Sequence, residues 1–362
     1  MEKKKKSIWL NLLVVFIILV IMLVIVLINN DVGEIAKAIR TCDVKYMMLA
    51  LICIIVFVLF TSFSLMQLVI LKKKIRFIDS FNIANCALFY NGITPFASGG
   101  QPFQVYYYTK VNVKTDESTS VIMMNFIIHQ FVSCVFSIIA IILYFNTLMD
   151  DSTTLFKVAV VVGLSINVII FLLLIFISLS KKVKKVFMGL VGLIFSIKFL
   201  RKRKEEMIEK TSKYFDNSQA GFKELFNHIP TLLLSILYKT ISLIAYFIVP
   251  YFIFKGLNVE VKLSDMAFIM WMTAFAFVIM SFMPTPGSSG GAEWAFTEVF
   301  ATSFFMASST VASAMLIWRF FTYYLIMLLG GISAICVKRR KVDEETCELE
   351  SSQTVTSPKS ME

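Results

Sequence analysis

The chain has 362 residues, of which 58% are hydrophobic and 14% aromatic, and it carries a formal net charge of +11 at pH 7. A soluble domain of that length has too little interior to hide so much apolar surface, so composition excludes a water-soluble globular fold and reads as an all-α polytopic membrane protein. Two histidines and six cysteines without a Cys-x-x-Cys pair give no grounds for a zinc site or a disulfide framework, and no cofactor or metal is expected.

In chain order, apolar stretches that can cross a hydrocarbon core of ~30 Å, which takes ~20 helical residues, run from about Ile8 to Ile28, Tyr46 to Leu71, Val121 to Phe145, Val158 to Leu179, Ile229 to Phe254 and Ser309 to Val337. These make six full spans. Two further segments, about Ser80 to Thr109 and Asp265 to Ala307, are apolar but cut in the middle by Pro and Gly.

Lys and Arg collect in short cytoplasmic loops. Here they cluster at the MEKKKK opening, at Lys72, Lys73, Lys74 and Arg76, at Lys181, Lys182, Lys184 and Lys185, and at KRRK over 338–341. All four clusters are expected inside, with both termini cytoplasmic. The first apolar stretch is long and has no small-residue cleavage site after it, which makes it a signal anchor. The loops Asn29 to Lys45, Asn146 to Lys157 and Lys255 to Ser264 balance their few cations with acids and read as external. The first interrupted segment then has both ends inside. The second must return outside if the last span is to end inside at KRRK. Each is expected to be a re-entrant broken helix, entering and leaving by its own face of the membrane.

The two breaks resemble each other. TPFASGG at 94–100 and TPGSSGG at 285–291 set Thr94 beside Thr285, Pro95 beside Pro286, Ser98 beside Ser289, Gly99 beside Gly290 and Gly100 beside Gly291. Such a pair fits an inverted repeat, which places a substrate site where the broken helices meet. Pro removes an N–H and Gly frees the backbone, so polar main-chain groups become available at a depth where only protein or a watery cavity can satisfy them. Helix N-termini aimed at such a cavity suit a phosphate. The glycines are expected to keep it roomy by lacking Cβ atoms.

Charges at membrane depth usually have a partner or a task, because each costs about 2.5 to 3.5 kcal/mol on insertion scales. Glu293 and Glu298 follow the second break, and Arg319 lies well inside the last span. Arg319 is expected to pair with Glu293, either to fix helix register or to meet a lipid phosphate. Lys239 is expected to snorkel toward the cytoplasmic face. His129, with Asn125 and Gln130, is expected to hydrogen-bond between helices.

The basic stretch from Lys181 to Lys213 reads as cytoplasmic, with its apolar middle (186–200) in the interface. Glu206 to Phe226 sets Met207, Thr211, Tyr214, Phe215, Phe222 and Phe226 at helical spacing, as in a membrane-surface helix. One membrane domain is expected over 1–337, containing this linker at 181–228. A disordered acidic and Ser/Thr-rich tail is expected over 338–362. The positive charge points to anionic inner-leaflet lipid in preference to tRNA, and nothing points to DNA.

TPFASGGQPFQVYYY, the later PTPGSSGGAEWAF with its acid at Glu293, and Arg319 in the last span together resemble the lysylphosphatidylglycerol synthase transmembrane region family. This is the flippase-type membrane domain of the multiple peptide resistance factor and its stand-alone bacterial and archaeal relatives. Many relatives carry Glu and Arg after the first glycine pair where this chain has Gln101 and Gln104. The resemblance implies a protein of the bacterial plasma membrane that moves an anionic or lysylated phospholipid, such as lysylphosphatidylglycerol, and contributes to cationic-peptide resistance. It implies substrate contacts at Thr94, Pro95, Ser98, Gly99, Gly100, Gln101, Gln104, Thr285, Pro286, Ser289, Gly290, Gly291, Glu293 and Arg319. Its alternatives are a phosphatidylglycerol lysyltransferase or its membrane subunit, and a scaffold for a separate synthase or glycosyltransferase. Full-length resistance factors add a soluble synthase domain, and the twenty or so residues after KRRK are too few for one.

Overall fold

The computed structural model describes residues 40–151, 153–180, 185–189, 204–304 and 308–337, together with Gly33, Ala36 and Lys37. The expected first span, most of the 181–203 stretch, KRRK and the tail lie outside the described residues. Every regular element among them is helical. Full-length helices are α1 (Val44–Ile70), α4 (Thr115–Asp151), α5 (Thr154–Leu179) and α7 (Ile229–Gly256). The last span joins α10 (Ser308–Arg319) to α11 (Leu325–Cys336) through a π-turn at Phe320–Tyr324. Five helices are thus long and apolar enough to cross a membrane. The interrupted segments are α2 (Phe77–Gly92) with α3 (Gly100–Lys110), and α8 (Asp265–Ser281) with α9 (Gly291–Phe304).

Local chemistry sets the ends. Asp43 caps α1 by accepting from the Lys45 amide at 2.9 Å, and Thr153 caps α5 by accepting from Phe156 at 3.3 Å. At α4 the Lys114 amide donates to Glu117 at 3.1 Å, and Asp116 joins Glu117 in the first turn. Those acids favour a helix N-terminus, so α4 starts at Thr115, ahead of the apolar run that begins at Val121.

The central pair is α1 and α7. The Asp43 amide donates to the Gly256 carbonyl at 2.8 Å, Thr61 and Ser242 share a hydroxyl hydrogen bond at 2.7 Å, and Ser64 donates to the Ser235 carbonyl at 3.1 Å. Residue numbers rise along one helix as they fall along the other, so the two are antiparallel. Each opens the same sequence of elements: a long helix, a broken pair, then a long helix. Accordingly α11 packs on α2 and α4 packs on α8. The helices that open the two like series therefore run in opposite directions, as an inverted repeat requires.

Each broken segment folds back on itself. The Tyr90 ring stacks on Phe103 at 3.4 Å, and the Tyr90 hydroxyl meets that of Tyr107 at 3.4 Å, so α3 returns antiparallel along α2. The second break likewise packs α9 against α8. Close approach of α2 and α11 depends on Gly330, where an added Cβ would come within 2.5 Å of the Asn85 carbonyl oxygen and 2.8 Å of Phe89 Cβ. Its neighbour Gly331 would meet the Phe89 ring at an ordinary 3.6 Å. Gly330→Ala should therefore destabilise the protein by ~1–3 kcal/mol through overpacking. Gly331→Ala should leave the melting temperature in detergent unchanged or slightly raised, and equal melting of the two variants would contradict the packing.

The linker helix forms as α6 (Lys204–Asn227), but its apolar face is turned to protein. Phe215, Phe222 and Leu225 are buried, Gly221 lies on Ser120 and Met124, and Gln219 donates to the Ile177 carbonyl at 2.7 Å. Glu224 pairs with Lys72, and Lys213 with Asp116 at 3.1 Å. The expected membrane-surface helix is thus docked across α4 and α5, and of its large apolar residues Phe226 stays exposed.

Candidate functional site

The two breaks share a backbone shape as well as a sequence. Each leaves its first helix, makes a short turn led by Pro95 or Pro286, and starts the second helix at Gly100 or Gly291. Phe96 and Ala97 have φ of 54° and 49°, while the equivalent Gly287 and Ser288 have 61° and 56°. The left-handed turn is intrinsic to glycine at 287 and strained at Phe96.

Side chains close each break. Thr94 Oγ1 donates to the Tyr90 carbonyl at 2.7 Å and accepts from the Gly99 amide at 2.8 Å, and Asn91 Oδ1 accepts from the Gly100 amide at 2.7 Å. In the second break Thr285 donates to the Ser289 carbonyl at 2.7 Å, Ser288 to the Met280 carbonyl at 2.6 Å, and Glu293 Oε2 accepts from the Gly290 amide at 2.7 Å. The Gly99 and Gly100 amides at the start of α3 and the Gly290 amide just before α9 are therefore already bonded within the protein.

The breaks pack on each other, and one helix bridges them. Tyr323 donates to the Gly92 carbonyl at 3.0 Å while its ring lies on Gly287. Arg319, 3% exposed, donates through Nε to Glu293 Oε1 at 2.6 Å, so the pairing expected from the sequence is present. Its remaining nitrogens reach the Gly287 carbonyl at 3.3 Å and the Ser288 carbonyl at 3.4 Å, and its guanidinium lies over the rings of Trp318 and Tyr323. Within the span Ser309–Cys336 these residues sit close to the middle. The breaks therefore meet near half-depth of the bundle.

Beside that junction lies a cavity of about 510 Å³. Its lining includes the apolar side chains Phe57, Leu88, Leu243 and Phe277. Interspersed with them are Asn91, Gln104, Asn125, His129, Gln130 and Lys239. A profile of the lysylphosphatidylglycerol synthase TM region matches residues 8–330.

The chain belongs to that family. No curated protein and no solved structure matches it.

Of the contacts that family resemblance suggested, Gln101 and Gln104 line the cavity. Gln104 is buried, and Gln101 accepts from the Tyr214 hydroxyl of α6 at 3.2 Å. Thr94, Pro95, Ser98, Gly99, Gly100, Thr285, Pro286, Ser289, Gly290, Gly291, Glu293 and Arg319 build and brace the junction next to it. Gly290 faces open space as expected, with nothing within 4 Å of an added Cβ, but Gly100 and Gly291 do not. A Cβ at Gly100 would strike Asn91 and the Ala87 carbonyl, and one at Gly291 would strike Met283, so both mark tight contacts.

Two further expectations are corrected. Lys239 does not snorkel. It lies ten residues into α7, about 15 Å along the axis from that helix end, and is 5% exposed within the cavity wall. His129 stands edge-on to the Phe277 ring at 6.2 Å, with no hydrogen bond among the described residues. Asn125 Oδ1 is buried without a partner. Only Gln130 bonds between helices as expected, donating to the Asn167 carbonyl at 3.2 Å. A signal for these residues existed: His129, Asn167 and Lys239 each fall within about a turn of the midpoint of its own span.

Proposed function

We propose that this protein binds an anionic or aminoacylated phospholipid, such as lysylphosphatidylglycerol, and moves it between the leaflets of the bacterial plasma membrane, contributing to resistance to cationic peptides. The observation behind the reading is the junction of the two breaks beside a cavity lined by both polar and apolar side chains. A headgroup crossing a bilayer needs polar partners at a depth where lipid offers none. A volume of about 510 Å³ is in the range of sites that enclose small ligands. The apolar side chains in the lining suit the glycerol end and first methylenes of a lipid. In this reading the hairpins are re-entrant from opposite faces, so the same site is approachable from either leaflet. A separate synthase is a natural partner, since it would supply the modified lipid.

The test is translocation in proteoliposomes. Vesicles loaded asymmetrically with phosphatidylglycerol or lysylphosphatidylglycerol should transfer one of them to the other leaflet faster when the protein is present, read by a membrane-impermeant headgroup reagent. Movement of both lipids at the rate of protein-free vesicles would overturn the proposal.

A further inference from the structure

We infer that the cavity is an anion site whose cation is Lys239, and that it takes a singly charged phosphodiester headgroup in preference to a lysylated one. The inference rests on the phospholipid reading above for the identity of its ligand, but not on translocation.

Lys239 is 5% exposed and makes no hydrogen bond or ion pair among the described residues. Among the described residues no Asp or Glu lines the cavity. The other buried cation at this depth, Arg319, is already neutralised by Glu293 and capped by two carbonyls. An isolated ammonium held away from water is costly unless an anion joins it, so an unpaired buried lysine facing a cavity creates a demand for negative charge there. Its neighbours fit the rest of a headgroup. Asn125 offers a partnerless Oδ1 as acceptor for a hydroxyl, and Gln104 adds a buried amide.

Charge then selects the lipid. A phosphodiester with a glycerol head carries one negative charge and hydroxyl groups, which matches one ammonium and an amide acceptor. Adding a lysyl group brings two ammonium groups, turning the headgroup net positive and setting it against Lys239 with no carboxylate in the wall to receive it.

The experiment uses the full chain purified in detergent, with binding of radiolabelled lipids measured and thermal melting followed in parallel. Wild type should retain phosphatidylglycerol at least about tenfold better than lysylphosphatidylglycerol, the scale of one charge-assisted contact. Only phosphatidylglycerol should raise its melting temperature. Lys239→Met, which keeps the side-chain volume, should fold and lose that preference. Lys239→Arg should keep it, and Lys239→Glu should reverse it toward the lysylated lipid. Equal or better retention of lysylphosphatidylglycerol by wild type would overturn the inference whether or not any variant folds. So would full protection by soluble glycerol phosphate alone, or an unchanged preference in Lys239→Met. A phosphatidylglycerol preference in a protein that moves no lipid would overturn translocation while leaving this site standing.

Discussion

Arg319→Ala should abolish most of the correctly folded protein. The guanidinium is 3% exposed and serves three acceptors: Glu293, which is 12% exposed, and the Gly287 and Ser288 carbonyls. Its removal strands a carboxylate and two main-chain oxygens inside the bundle. Breaking one partner out of a buried ion pair typically costs about 3–5 kcal/mol, a large share of the ~5–15 kcal/mol that holds a protein folded. Glu293→Gln should be milder, because a neutral amide oxygen can still accept from the Gly290 amide. The double variant Arg319→Ala/Glu293→Gln should recover part of the loss, with a coupling of roughly 1–3 kcal/mol, since no charge is then left alone. Folded yield by size exclusion and melting temperature would both read this. An undiminished melting temperature for Arg319→Ala would show that the pair does not brace the break. Translocation by the refolded double variant would separate bracing from lipid contact.

Gly100→Ala should be nearly as damaging, although it adds one carbon. That carbon would lie 2.5 Å from Asn91 Oδ1 and 2.7 Å from the Ala87 carbonyl oxygen. Backbone on one side and a capping side chain on the other leave no cheap way to yield. The expected cost combines overpacking of ~1–3 kcal/mol with the loss of the Asn91 cap on the Gly100 amide, a further ~1 kcal/mol. At the equivalent Gly291→Ala the nearest atoms belong to the flexible side chain of Met283, so it should cost less. Melting temperatures of the two variants decide the matter. A larger effect at Gly291 than at Gly100 would contradict the packing described for the hairpins.

How much of this was legible in advance differs from element to element. The spans from Tyr46, Val121, Val158, Ile229 and Ser309 were readable because a run of about 20 apolar residues needs no knowledge of its neighbours. The Arg319–Glu293 pair was readable because depth makes an unpartnered charge expensive and few partners were on offer. Lys239 was misjudged because snorkelling depends on how far along its helix the residue sits and what stands above it. The Gly100 and Gly291 contacts were misjudged because a glycine that opens a cavity and one that admits a neighbour look the same in sequence. Only the packing partner tells them apart. Helix α6 shows the same limit: its spacing revealed an apolar face, and the choice between lipid and α4 lay in residues a hundred positions away, such as Asp116 and Ser120.

The antiparallel pairing of α1 with α7 bears on direction. Two like units related by inversion look alike from either side of a bilayer, so nothing in the repeat itself distinguishes inward from outward. Any vectorial preference has to be written in what breaks the likeness. The second break is braced by Glu293 and Arg319 where the first relies on Asn91 and Thr94, the left-handed turn holds Gly287 on one side and Phe96 on the other, and α5 and α6 have no counterpart among the described residues. Of these, α6 alone touches the cavity wall from outside the spans, through Tyr214 on Gln101. Polarity in this molecule is therefore a property of its exceptions.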